Sequence, residues 1–148
     1  LDIPFVDSDE KIEASTNCSI NDIFIKYGEQ AFRDIERRMI CHLLNGSFCI
    51  LATGGGAFMD VNTRCLIKDR AISIWLRTDL QLLVKRITGF NHRPLLNQGN
   101  PHNILRELID KRYKTYASAD IIVDSKDYPI EVMTNKVMRA LNQYVKTL

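Results

Sequence analysis

The sequence predicts an α/β fold built on a parallel sheet. Strand and helix signals alternate along the chain, the pattern produced when parallel strands are joined by crossover helices. The second observation is Phe48-Cys49-Ile50-Leu51-Ala52, an apolar run that stops short of three consecutive glycines, Gly54, Gly55 and Gly56. Such a run reads as a strand buried on both faces, and glycines at its carboxyl end let a ligand approach bare backbone. In open α/β sheets ligands bind at that end of the strands.

Each element has its own signal. Ile3 to Val6 is a short strand that ends at Asp7-Ser8-Asp9, where either aspartate suits the cap of a helix over Glu10 to Ala14. Ser19-Ile20-Asn21-Asp22 has capping-box spacing and opens a short helix, after which Gly28 punctuates the chain. From Glu29 to Asn45, Phe32, Ile35, Met39 and Leu43 recur at helical spacing, Ile40 and Leu44 widen the stripe, and Gly46 supplies the stop. After the glycine-terminated strand come a helix capped by Asp60, a strand from Ala71 to Leu76 and a helix from Asp79 to about Ile87. Gly89 to Pro101 is rich in Gly, Asn and Pro, with Arg93 in its middle, and is long enough to serve as a lid. His102 to Tyr116 returns to helix and Ile121 to Val123 is a β-branched strand. Pro129 begins a last helix on which Ile130, Met133, Val137 and Leu141 share a face.

Composition narrows the classes of function. The 148 residues, 45% of them hydrophobic, suffice for one domain with a real core. A net charge of +2 from 20 basic and 18 acidic side chains is too balanced for a nucleic-acid binder recognised by bulk charge. A nucleic-acid surface through Arg37, Arg38, Lys85 and Arg86 lacks interleaved aromatics. No apolar run approaches membrane-spanning length. Cys18, Cys41, Cys49 and Cys65 contain no Cys-x-x-Cys pair and read as buried reduced thiols, which favours the cytoplasm. His42, His92 and His102 lack metal-ligand spacing.

The residues that can carry chemistry each have two readings. Asp7 and Asp9 are helix caps, or they orient a hydroxyl and hold a magnesium ion through water. Arg33, with Glu29 one turn before it and Glu36 three residues after, makes surface ion pairs, or Glu36 orients the guanidinium to grip a ligand carboxylate. Phe24 and Phe32 are core residues or the wall of an apolar ring. Arg93, in Asn91-His92-Arg93-Pro94-Leu95-Leu96, is solvated, or it closes over a transferring phosphoryl group.

In this order the fragments resemble the shikimate kinase family. The resemblance rests on Phe5-Val6-Asp7-Ser8-Asp9 with Ile12-Glu13, then Ile20-x-x-Ile23-Phe24 and Gly28-Glu29-x-x-Phe32-Arg33-x-x-Glu36. It continues through Gly54-Gly55-Gly56-Ala57, Arg93-Pro94-Leu95 and Lys111-Arg112-x-x-x-Tyr116. It implies a P-loop NTPase fold of the nucleoside-monophosphate-kinase-like type, a three-layer αβα arrangement with a parallel sheet, and transfer of phosphate from ATP to the 3-hydroxyl of shikimate. By the resemblance Asp9 binds and polarises that hydroxyl, Arg33 and Arg112 clamp the carboxylate, and Gly55 and Gly56 offer backbone to the ring. Asp7 holds Mg2+ through water, Arg86 lies near adenine, Arg93 on the lid reaches the phosphates, and Lys126 is the loosest nucleotide match. The partners implied are shikimate and ATP alone, with the protein a monomer.

The family also carries a first strand and a G-x-x-G-x-G-K-[ST] loop that nothing in these residues matches. Gly54 to Gly56 are not followed by Lys-Ser or Lys-Thr. The chain starts at Leu1, with neither a methionine nor a signal-peptide pattern. The expectation is one amino-terminally incomplete domain over residues 1–148, lacking its first βα unit, with the lid at 89–101 and no activity as it stands. The absent strand would separate the Cys49 to Ala52 strand from the Ile72 to Leu76 strand, so those two would not pair directly. Alternatives are a non-catalytic shikimate-binding relative and another small-metabolite kinase of the same fold, such as one acting on gluconate.

Overall fold

The computed structural model describes residues 2–87 and 100–148, which form two compact units divided after Ala71. Arg93, His92 and nearly all of the expected lid lie outside the described residues. The lid's last two residues are described: Asn100 caps a helix through its side chain and Pro101 is that helix's first residue. Proline suits that position because its missing N–H has no helical partner to lose.

The first unit comprises β1 (Phe5–Asp7), α1 (Ser8–Thr16), α2 (Ile20–Leu44), β2 (Ile50–Ala52), a single 3-10 turn (Ala57–Met59) and α3 (Val61–Arg70). β1 and β2 pair in parallel, Phe5 opposite Ile50 and Asp7 opposite Ala52, with α1 and α2 as the crossover. β1 starts later than the apolar run because Pro4 has no N–H for the ladder; its carbonyl still accepts from Ile50 N at 2.8 Å. β2 is shorter than expected and is not buried on both faces. Phe48 is 80% and Ile50 42% exposed, since β1 is the only ladder partner of β2 among the described residues.

Ile12, Ile23 and Phe32 form the core between α1 and α2, with Ile35 and Met39 packed against it. The two expected helices around Gly28 form one element with a kink. Gly28 sits there at φ 80°, a region that side-chain-bearing residues avoid. Gly46 is not the left-handed stop. Asn45 ends α2 instead, its side-chain amide donating to Cys41 O at 2.8 Å, so no positive φ is required there.

The second unit comprises β3 (Ile74–Arg77), α4 (Leu80–Ile87), α5 (Pro101–Tyr116), β4 (Ile121–Asp124) and α6 (Ile130–Val145). β3 and β4 are parallel, Ile74 opposite Ile121 and Arg77 opposite Asp124. β3 begins after Ser73 because Ser73 gives its N–H to the Asp120 carboxylate at 2.8 Å. Leu82, Leu105, Ile121 and Val123 are buried, and Trp75 meets Tyr113 and Tyr116 edge-on. On α6, Ile130 departs from its expected face at 81% exposure, while Met133, Val137 and Leu141 are half-buried. Among the described residues the ladders are β1 with β2 and β3 with β4.

Candidate active site

β1 and β2 end side by side, and the site is built from the residues just past their carboxyl ends. β1 closes on Asp7, whose Oδ1 accepts from Asp9 N at 2.8 Å and Glu10 N at 3.4 Å, so Asp7 is the cap of α1. Asp9 is not the cap and sits in the first helical turn. After β2 the chain runs through the glycines to the 3-10 turn. A methyl group added at Gly54 would lie 3.0 Å from Glu36 Oε1 and 3.4 Å from Asp9 Oδ1. At Gly56 it would overlap the Arg33 guanidinium. The absence of side chains on this loop is what lets backbone, two carboxylates and a guanidinium share one small volume.

α2 supplies the charges. Its most buried line is Phe32, Glu36 and Ile40, not the all-apolar ridge the periodicity picks out. Glu36 is 2% exposed, and Arg33 Nη1 donates to its Oε2 at 2.7 Å. A carboxylate this deep needs a partner, since burying an unpaired charge costs several kcal/mol. The other guanidinium nitrogen, Nη2, reaches Glu29 at 3.3 Å, and the cation lies 5.1 Å from the Phe32 ring centroid. Arginine has five N–H donors, so these bonds to two carboxylates leave capacity for a third. The ring of Phe32 stands 4.7 Å from that of Phe24 and belongs to the core, while Phe24 is half-buried at its edge.

A second layer fixes the far end of the glycine loop. Asp60 caps α3, accepting from Thr63 N at 2.8 Å, and lies 3.6 Å from Arg37 of α2. The Thr63 backbone N–H and then its hydroxyl hold the Asp60 carboxyl below its ordinary value. Arg64 donates to Phe58 O and Met59 O. Sequence reasoning gave Glu36 only a supporting part and missed Arg64. A glutamate on the apolar stripe, four residues from both Phe32 and Ile40, was the available signal for Glu36.

In the second unit Arg86 donates to Ser125 Oγ at 3.1 Å and to Lys126 O at 2.9 Å, which brings the two expected nucleotide residues together. Arg112 is half-buried on α5. Among the described residues no three His, Cys, Asp or Glu side chains are grouped to hold a metal, and no helix is long and apolar enough to cross a membrane.

Parallel strands with helical crossovers, and opposed charges gathered where the strands end, define an α/β protein built to hold a small polar or anionic ligand. The profile of the shikimate kinase family matches residues 1–142. A shikimate kinase from Paramagnetospirillum magneticum is 50% identical over 98% of this chain and 74% of its own length, and one from Caulobacter vibrioides is 43% identical over 97% and 72%. A solved shikimate kinase from Acinetobacter baumannii, in complex with shikimate, superposes with a TM-score of 0.91 at 32% identity, covering 95% of this chain and 79% of that one. The chain belongs to the shikimate kinase family, ATP-using phosphotransferases with the P-loop NTPase fold.

Proposed function

We propose that this protein transfers the γ-phosphoryl group of ATP to the 3-hydroxyl of shikimate, as a cytoplasmic monomer acting on small molecules alone. The observation that carries this reading is the meeting of Asp9, Glu36 and Arg33 on the side-chain-free faces of Gly54 and Gly56. A substrate with one carboxylate and vicinal hydroxyls needs such a pairing of a cation with an acid. Arg33, held by Glu36, takes the carboxylate, the resemblance assigns Arg112 to that same group, and Gly55 and Gly56 line the ring beside Phe24. Asp9 accepts the hydroxyl proton as the oxygen attacks phosphorus.

On the nucleotide side, the resemblance assigns Arg86 to adenine, Lys126 more loosely to the nucleotide, and Arg93, outside the described residues, to the phosphates. Magnesium, when bound, neutralises phosphate charge. The residues fit an ion held through water: Asp7 spends Oδ1 on two backbone N–H groups, and magnesium takes few protein ligands while keeping several waters. The family match runs through both compact units, which supports reading residues 1–148 as one domain. These residues contain no G-x-x-G-x-G-K-[ST] sequence. Taken alone they bind shikimate without turning it over.

Calorimetric titration with shikimate, gluconate and a shikimate analogue lacking the carboxylate tests the reading, alongside an ADP-release assay. Binding of shikimate alone is expected. Equal binding of the decarboxylated analogue would remove the arginine clamp, and preference for gluconate would move the protein to another kinase of the same fold. Turnover by residues 1–148 would overturn their inactivity. A form carrying the phosphate loop that binds shikimate without releasing ADP would favour a non-catalytic relative.

A further inference from the structure

We infer that Arg64, on α3, is a positioning residue for shikimate binding: it locks the turn after the glycine loop and so holds Gly56 against Arg33. The inference rests on the proposed shikimate site and deepens it. Arg64 acts on the glycines through Phe58 and Met59, whose carbonyls it holds.

The turn it holds is a poor structure by itself. Ala57–Met59 is one 3-10 turn, closed by Ala57 N to Gly54 O at 3.1 Å, Met59 N to Gly56 O at 3.0 Å and Asp60 N to Ala57 O at 3.3 Å. At Asp60 the backbone becomes extended, with φ −72° and ψ 127°, and the 3-10 pattern of hydrogen bonds ends there. Arg64 Nη1 donates to the carbonyls of Phe58 and Met59, at 2.8 and 2.7 Å. Charge-assisted bonds of this length are stronger than neutral ones, and a planar guanidinium loses less freedom in making them than a lysine ammonium would.

The turn in its place fixes the course of the glycines. Two of the three glycines that lead into the turn face the site: Gly54 lies against Glu36 and Asp9, and Gly56 against the Arg33 guanidinium. Glycine has the widest backbone freedom of any residue, so what holds the two ends of a triple glycine bears on its course. β2 pins one end through its ladder to β1, and Arg64 with the Asp60 cap pins the other. Releasing the Arg64 end lets the loop sample conformations in which its backbone no longer meets the ligand, and binding then bears the entropy of reordering it.

The test is titration of shikimate into the wild-type, Arg64→Ala and Arg64→Lys proteins, with thermal unfolding of each and repetition in added guanidinium chloride at low millimolar concentration. Arg64→Ala is expected to weaken shikimate binding about tenfold, the equivalent of one lost charge-assisted hydrogen bond, while unfolding stays cooperative. Guanidinium should restore part of that affinity, and Arg64→Lys should fall between. Unchanged affinity in Arg64→Ala would overturn the inference while leaving the site intact. So would weakened binding that guanidinium does not restore and that Arg64→Lys shares in full, which would mark a general packing role. Failure of the wild type to bind shikimate would remove the site and the inference together.

Discussion

Replacing Gly56 with alanine tests the site through one atom. The added methyl group would occupy the space of the Arg33 guanidinium, and that guanidinium is the mobile end of a long side chain, so Arg33 yields while the backbone stays. The displaced cation gives up its 2.7 Å bond to Glu36, a carboxylate only 2% exposed. A hydrogen bond to a charged group contributes about 1.5–3 kcal/mol. At about 1.4 kcal/mol per decade, a ligand carboxylate that relies on the same Arg33 position loses roughly tenfold to a hundredfold in affinity. Gly54→Ala is the internal comparison: its methyl would meet Glu36 Oε1 at 3.0 Å, a tight contact relieved by a few tenths of an ångström. Calorimetric titration of shikimate into both variants, with circular dichroism to show that each is folded, should rank wild type above Gly54→Ala above Gly56→Ala. Wild-type affinity in Gly56→Ala, or the reverse order of the two variants, would refute the placement of Arg33 at the ligand.

Asp9→Asn should lower turnover at least a hundredfold, the order contributed by a positioned general base, while changing shikimate affinity little; a form of the protein carrying the phosphate loop provides the assay. Equal losses in binding and turnover would make Asp9 a binding group only. Gly28→Ala should destabilise the protein by about 1–2 kcal/mol in thermal unfolding, because the site has open space but a φ of 80° that alanine adopts poorly. No change would mean that the α2 kink relaxes. Acid should destabilise the fold through its depressed carboxyls. The Thr63 N–H lowers Asp60, and for Asp120 burial pushes the carboxyl up while hydrogen bonds from Ser73, Tyr144 and the backbone together bring it below its ordinary value. A depressed carboxyl stabilises the fold above its ordinary value of 3.8, and that contribution is lost as pH falls through the folded value, so melting temperature should drop below that pH. Asp60→Asn should flatten part of the drop, and an identical profile in the variant would refute the assignment.

The sequence makes local chemistry legible and says little about distance. Asp60, Asp79 and Ser19 cap helices where their spacing placed them, and the strand that ends in glycines exists, because caps and breakers act within a turn or two. The two strand starts that were misplaced, at Pro4 and Ser73, and the stop of α2, expected from Gly46 and supplied by Asn45, were each settled by one specific hydrogen bond: Pro4 O to Ile50, Ser73 to Asp120, and Asn45 to Cys41 O. Two of those three partners lie more than forty residues away, beyond the reach of any periodicity. The same division runs through the site. Arg33, Glu29 and Glu36 are near neighbours on one helix, and their pairing could be read from spacing alone. That Gly56 would lie on that guanidinium could not, because it depends on how β1 and β2 align the two segments.

Glu36 marks where the two kinds of information meet. Its place on the stripe of α2 is a local fact, and a helix that merely packed would hold an apolar residue there. Burying a carboxylate in that line is unfavourable by itself and is made tolerable by the Arg33 bond, yet an apolar pair of similar size would serve stability as well or better. The pair is therefore explained by what it holds in place: a guanidinium aimed across a glycine that has no side chain to block it. On that argument Glu36→Gln should keep the fold but replace the charge-assisted bond to Arg33 with a weaker neutral one that holds the guanidinium less firmly, weakening shikimate binding more than it weakens stability. A variant that lost stability and kept affinity would show that the buried pair serves the core and not the ligand.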